Sequence, residues 1–221
     1  STTEELNALA PEAEIGWFDL FNPADMVETV RRAEKLKWLS SIYAGVERLP
    51  LDLLRERGTI CTNGAGLLSD TMAEYAVMGM LSVAKGYDKV LAAANRREWL
   101  KSPPATGTLV GAKVMIVGYG AIGREIEKCL LAFDAAVTKV RRNPAGPGEL
   151  GPDEWRAKLG EFDWIVVAAP ATPETKGLIG AAEFAAMKQG ARIANIARGT
   201  LIDTEALIAA IQSGKIAGAY L

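Results

Sequence analysis

Gly118, Gly120 and Gly123 stand at the spacing G-x-G-x-x-G, directly after Lys113-Val114-Met115-Ile116-Val117 and before a helix-like stretch from Arg124 to Phe133. A strand, a tight glycine turn and a helix start, in that order, form a phosphate cradle. Gly118 permits the turn. Gly120 has no Cβ, so a diphosphate can approach the backbone. Gly123 lets the helix pack close to the strand. Tyr119, Ala121 and Ile122 complete the turn, and the helix N-terminus adds N–H groups and a partial positive charge. A dinucleotide is the ligand that this arrangement calls for.

The next strand indicates which dinucleotide. An acid about 20 residues past the glycines usually holds a ribose 2′-hydroxyl. Here the strand ends Lys139-Val140-Arg141-Arg142-Asn143-Pro144, with Arg141 lying 18 residues beyond Gly123 and no acid at its end. Two guanidiniums match a 2′-phosphate through charge-assisted hydrogen bonds. The reading is NADP(H) over NAD(H).

Other chemistries are limited by composition. The chain of 221 residues contains no histidine, so these residues supply no imidazole base, acid or metal ligand. Cys61 and Cys129 are too few for a disulfide framework or a metal site, and are expected to be reduced, buried small hydrophobes. With a net charge of −2 and scattered basic residues, nothing calls for nucleic acid. No apolar run approaches the roughly 20 residues of a membrane span. The start, Ser1-Thr2-Thr3-Glu4-Glu5, has no secretory character. The expectation is a cytoplasmic protein without membrane or nucleic-acid partners.

The elements that must position these residues alternate. In the first hundred residues, strands are expected over 13–20, 38–43 and 59–62. Helices are expected from Pro23, with Met26, Val27, Val30 and Ala33 on one face, and over 51–56. A long helical region follows, with Ser69, Asp70 or Thr71 as cap and a Thr71-x-x-Glu74 capping box, running to about Trp99. Gly79 and Gly86 inside it call for close packing, against a partner subunit, or for a break. Lys101 to Gly107, with two prolines, is a boundary by composition. The second series has strands over 136–141, 164–169, 192–197 and 216–221. Trp164 to Ala169 is fully apolar and hence central. Helices are expected over 155–159 and 183–188, and after Asp203 with Leu207, Ile208 and Ile211 inward. The fold class is α/β with parallel sheets, in two domains, 1–100 and 101–221.

Five segments fit one family in order and spacing. They are the glycine turn, Ala169-Pro170-Ala171-Thr172-Pro173-Glu174-Thr175, Asn195-Ile196-Ala197-Arg198-Gly199-Thr200-Leu201-Ile202-Asp203, Tyr43-Ala44-Gly45-Val46-Glu47 and Asp70-Thr71-Met72-Ala73-Glu74. The chain resembles the D-isomer-specific 2-hydroxyacid dehydrogenases, the group that includes glyoxylate/hydroxypyruvate reductases and phosphoglycerate dehydrogenases. The resemblance implies a flavodoxin-like substrate domain, a Rossmann cofactor domain and a homodimer built through the latter. It implies hydride transfer between the nicotinamide and a small 2-keto or 2-hydroxy acid. By similarity Arg198 holds the substrate's carboxylate and carbonyl oxygen, a planar anion that a guanidinium fork matches. Ala44, Gly45 and Val46 form a backbone cradle for the same carboxylate. Met72, Ile196 and Ala197 border the nicotinamide, and Ala169, Pro170 and Thr175 the adenosine and pyrophosphate.

The resemblance also implies a histidine–glutamate pair that delivers the proton, placed after Ala217-Gly218-Ala219-Tyr220-Leu221, and one more strand before Leu6 to Pro11. The expectation is therefore a fragment of a longer enzyme, inactive by itself. The alternative is a short protein of the same fold that binds a dinucleotide as a non-catalytic sensor or scaffold.

Overall fold

In the computed structural model, which describes every residue except Ser1, Phe18, Asp19 and Phe21, the chain forms two units, Ser1–Leu68 and Ser69–Leu221.

In the first unit, Thr2 and Glu5 close a capping box on α1 (Thr3–Leu9). The first strand, β1 (Ile15–Gly16), is shorter than the expected 13–20 span, part of which lies outside the described residues. Asn22 accepts the N–H of Ala24 and Pro23 takes the first helical position, which starts α2 (Pro23–Arg32). Its last turn is closed by Arg57, whose guanidinium donates to the carbonyls of Val30 and Arg31 at 2.9 and 3.0 Å. Then come β2 (Trp38–Ser40), α3 (Leu51–Glu56) and β3 (Ile60–Thr62), and the three strands pair in parallel in the order β1-β2-β3. Met26, Val30, Leu39 and Leu54 fill a core on one face. On the other, the cross-strand row Ile15, Trp38 and Ile60 faces solvent. Cys61 in β3 is exposed, and not buried as its residue type suggested, because the whole of β3 is exposed.

The second unit opens with α4 (Ser69–Lys85) and α5 (Tyr87–Asn95), separated by Gly86 at φ +61°. Helix α4 begins at Ser69, so Thr71 lies within it and is no N-cap. Six strands follow: β4 (Lys113–Val117), β5 (Ala136–Val140), β6 (Glu149–Leu150), β7 (Trp164–Val167), β8 (Ala191–Asn195) and β9 (Ile216–Tyr220). They form one parallel sheet in the order β6-β5-β4-β7-β8-β9. Helix α6 (Ala121–Leu131) links β4 to β5, α7 (Ala181–Ala186) lies between β7 and β8, and α8 (Thr204–Gln212) links β8 to β9. Asp203 caps α8 by accepting the N–H of Ala206.

This sheet is covered on both sides. Ala73, Ala76, Met80 and Ala84 of α4 and Ile126 and Leu130 of α6 pack with Val114, Ile116, Trp164 and Val166. Trp155, Leu159, Phe184 and Leu207 pack with Met115, Val117, Ile165 and Val167. The wholly buried face of α4 is why the division falls after Leu68 and not at residue 100. Residues 101–107 connect elements within the second unit. Gly79 is required by the chain's own β9, since a Cβ there would overlap the ring of Tyr220. That contact, and not a partner subunit, accounts for its close packing. In α8, Leu207 and Ala210 are buried, whereas Ile208 and Ile211 are exposed at 43% and 41%. No helix among the described residues is long and apolar enough to cross a membrane.

Candidate functional site

The strand order changes direction between β4 and β7, since the chain runs from β4 outward through β5 and β6, then returns to build β7, β8 and β9 on the other side. Crevices at such switch points, beyond the carboxyl ends of the strands, are where open α/β sheets hold ligands. Four predicted segments meet this edge. The glycine turn follows β4, Arg141 and Arg142 follow β5, Ala169 to Thr175 follows β7, and Ile196 to Arg198 follows β8.

Each glycine has a separate geometric reason. Gly118 is at φ +100°, and a Cβ would overlap the backbone of Ala168 and Ala169, so the turn lies directly against the loop after β7. At Gly123 a Cβ would come within 2.7 Å of the Gly118 carbonyl oxygen and 3.4 Å of Ile116 Cγ2. That fixes how closely α6 approaches β4. Around Gly120 a Cβ would meet nothing within 4 Å. Gly120 is also the N-cap of α6, and it has no side chain to cap with. The first N–H to close on the helix is that of Arg124, which donates to the Gly120 carbonyl at 3.1 Å. Those of Ala121, Ile122 and Gly123 make no hydrogen bond among the described residues. Three converging donors, the positive end of an eleven-residue helix and open space at Gly120 fit an anion such as a diphosphate.

Behind the turn the side chain of Tyr119 leans over α6. Its hydroxyl donates to the carboxylate of Glu127, whose other oxygen pairs with Lys139 Nζ at 2.8 Å. The ammonium sits 5.1 Å from the Tyr119 ring centre. Burial, and then Glu127, push the Tyr119 hydroxyl above its ordinary pKa. The hydrogen bond from Lys139 to Glu127 likewise holds Lys139 charged to higher pH.

The end of β5 carries a carboxylate that reading along the chain missed. Glu149 of β6 lies beside Arg141, with Oε1 3.4 Å from Nη1. Its Oε2 accepts the N–H of Ala145 at 2.6 Å. Arg142 is exposed. Glu174 is held below its ordinary pKa by the Thr172 hydroxyl and its own backbone N–H, and the charge of Arg142 adds to this.

The loop after β7 is closed by Thr175, whose hydroxyl donates to the Pro170 carbonyl at 2.7 Å and accepts the N–H of Thr172 at 2.8 Å. Ala169 is buried, Thr175 half-buried and Pro170 exposed. After β8 the buried Asn195 shapes the next turn. Its amide donates to the Arg198 carbonyl at 2.9 Å and its oxygen accepts the N–H of Ala197 at 3.0 Å. The Ile196 N–H reaches the Val167 carbonyl at 3.1 Å, which ties the turn to β7. Arg198 is exposed, donates from Nη1 to the Ala197 carbonyl at 3.0 Å, and borders a recess of about 170 Å³ lined by Asn195, Ile202, Thr204 and Leu207. A cation beside a small, partly apolar recess is suited to a small organic acid. Met72 is half-buried on α4, on the opposite side of the sequence from these loops, and is not grouped with them by any contact described.

In the first unit, Ala44, Gly45 and Val46 follow the carboxyl end of β2. Asn63 Nδ2 donates to the Ala44 carbonyl at 2.8 Å and the Gly64 N–H to the Tyr43 carbonyl at 3.1 Å. The N–H groups of Ala44, Gly45 and Val46 make no hydrogen bond among the described residues. This is an anion cradle in form. No group of three or more potential metal-ligating side chains occurs among the described residues.

The family described as "D-isomer specific 2-hydroxyacid dehydrogenase, NAD binding domain" matches residues 77–221. Glyoxylate reductase from Thermococcus litoralis is 32% identical over 205 residues, covering 88% of this chain and 62% of the relative. D-3-phosphoglycerate dehydrogenase from Methanocaldococcus jannaschii is 31% identical over 201 residues, covering 88% of this chain and 38% of the relative. The chain thus spans less than two thirds of the length of either enzyme. The crystal structure of D-mandelate dehydrogenase from Rhodotorula graminis superposes with a TM-score of 0.84 at 26% identity, over 99% of this chain and 71% of that one. With its glycine turn at the switch point of a parallel six-stranded sheet, this chain belongs to the D-isomer specific 2-hydroxyacid dehydrogenases.

Proposed function

We propose that the protein comprising this chain reduces a small 2-keto acid of the glyoxylate or hydroxypyruvate type to its D-2-hydroxy acid, with NADPH in preference to NADH. The bound nicotinamide supplies the hydride, and a proton completes the hydroxyl. What these residues do is bind and orient. The N–H groups of Ala121, Ile122 and Gly123 hold the diphosphate, with Tyr119 and Gly118 shaping the turn. Arg141 and Arg142 take the 2′-phosphate. Ala169, Pro170 and Thr175 border the adenosine side, and Met72, Ile196 and Ala197 the nicotinamide. Arg198 orients the keto acid through its carboxylate and carbonyl oxygen, and the N–H groups of Ala44, Gly45 and Val46 are offered to a carboxylate.

The observation that carries this reading is the uncapped α6 N-terminus at Gly120, on the same sheet edge as Arg198. Gly120→Ala tests it. The added methyl meets no protein atom, so the melting temperature should fall by no more than the few degrees that alanine costs relative to glycine at an N-cap. It would stand where the diphosphate must lie, so NADPH affinity, followed by nucleotide fluorescence, should fall about tenfold or more, the equivalent of about 1.4 kcal/mol. Undiminished binding would remove the diphosphate from this turn.

The protein is further proposed to be a homodimer. Tyr75 and Met78 of α4, Tyr87 and Leu91 of α5, and Trp99 expose a large apolar surface within the second unit. Light scattering should give twice the chain mass, and a monomeric mass at micromolar concentration would refute the assembly.

A further inference from the structure

The loop between β5 and β6 is organised by one side chain. Glu149 reaches back with both oxygens, Oε1 to Arg141 Nη1 at 3.4 Å and Oε2 to the Ala145 N–H at 2.6 Å. Its side chain is only 11% exposed, and that of Arg141 is 35% exposed. Two facts follow. First, the carboxylate is nearly covered and has Arg141 and the Ala145 N–H on its two oxygens, so little of it is left to meet a ribose hydroxyl. It does not restore the acid missing from the end of β5. Second, it touches the guanidinium at one nitrogen only. Among the described residues the guanidinium makes no other hydrogen bond, so the rest of the fork stays available to a ligand. The N–H of Ala145, with Arg141 beside it, also holds Glu149 ionised to lower pH than an ordinary glutamate, although burial opposes this.

An unrestrained arginine loses rotamer freedom when it is fixed on an anion. A guanidinium already tethered loses less, and preorganisation of this kind appears as affinity. Arg142, exposed and without a comparable tether, has no such advantage. We propose that Glu149 is a positioning residue for coenzyme discrimination, tying Arg141 to the 141–149 loop so that the guanidinium stands ready for the 2′-phosphate of a dinucleotide. This rests on the NADPH reading given above.

The test uses 2′,5′-ADP and 5′-AMP, which share adenosine and differ by the 2′-phosphate, titrated calorimetrically into the wild-type protein, Arg141→Ala and Glu149→Gln. The wild type should bind 2′,5′-ADP more tightly, and Arg141→Ala should remove most of that preference, leaving only what Arg142 supplies. Glu149→Gln should weaken 2′,5′-ADP about two- to tenfold, the worth of about one hydrogen bond. It should leave 5′-AMP within about twofold, which also shows that the adenosine site is folded. An unchanged or raised 2′,5′-ADP affinity in Glu149→Gln would overturn the proposal, because the carboxylate would then be idle or a competitor for Arg141. Equal loss of both nucleotides would overturn it too, as a purely structural effect. If the wild type shows no preference, and Arg141→Ala changes nothing, the NADPH reading itself fails.

Discussion

Two parallel sheets are built from the same βαβ rhythm and are finished differently. In the second unit every residue of β7 is wholly buried, with a cluster of side chains on each face of the sheet. In the first unit one face packs on α2 and α3, and the other presents Ile15, Trp38 and Ile60 at 68%, 42% and 66% exposure. Parallel sheets are ordinarily covered on both faces. The difference bears on how each unit can hold a ligand. Packing fixes the strand ends of the larger sheet, so the backbone at the α6 N-terminus can be left uncapped. In the smaller unit, side-chain hydrogen bonds such as Asn63 to the Ala44 carbonyl do that work for the 44–46 turn.

Paired substitutions can break this contrast. The largest effect is expected at the centre of the big sheet. Ile165→Ala should cost about 2–5 kcal/mol in urea unfolding, because a fully buried isoleucine leaves a cavity. A smaller effect is expected at its lower edge, where Asp163 accepts from Lys188 Nζ at 2.6 Å and from the Lys113 N–H at 3.0 Å. Burial raises the Asp163 pKa, but these two partners outweigh it and leave the carboxyl below its ordinary value. The stabilisation is therefore present above the unfolded pKa of about 3.9 and lost as pH falls through the folded value. Asp163→Asn should cost about 1 kcal/mol at pH 7, and the gap to wild type should begin to narrow below about pH 4 and go on narrowing as the pH falls. A gap that stays constant from pH 7 down to the lowest pH at which both proteins fold would mean that charge is not its source. The comparable pair in the first unit, Lys37 with Glu14, is exposed, and Glu14→Gln should move the unfolding midpoint less than Asp163→Asn does. Smallest of all, Ile60→Ala should stay within about 0.5 kcal/mol. A loss above 1 kcal/mol would show that its face is covered in solution and that the two sheets are finished alike.

What reading along the chain could reach was set by how local the physics is. The glycine turn was legible because steric need at Gly118, Gly120 and Gly123 is encoded in the same few residues that fold there. The central strand was legible because Trp164 to Val167 is apolar on both faces, and the order of strands and helices because the hydrophobic period changes with each. Glu149 was not, since a two-residue strand inside a Pro/Gly-rich loop has no period, and its pairing with Arg141 exists only through the β5–β6 register. Nor was the partner of Gly79, because a missing Cβ declares a close approach without saying to what. Residue type misled at Cys61, and at Ile208 and Ile211, where the sheet buries only one side of α8. The division after Leu68 was hidden for a similar reason. Composition marks the linker at 101–107, whereas α4 is assigned by what it packs against.

The interlock of Gly79 with the Tyr220 ring joins the opening helix of the second unit to its last strand. On the ribosome the helix therefore emerges long before its counterpart, and must wait while nearly the whole unit is synthesised. Contacts of such sequence separation close late and slowly. Until then α4 can rest on β4, α6 and β7, but the niche at Gly79 stays open, so a nascent chain halted before β9 should expose that part of the α4 face to chaperones.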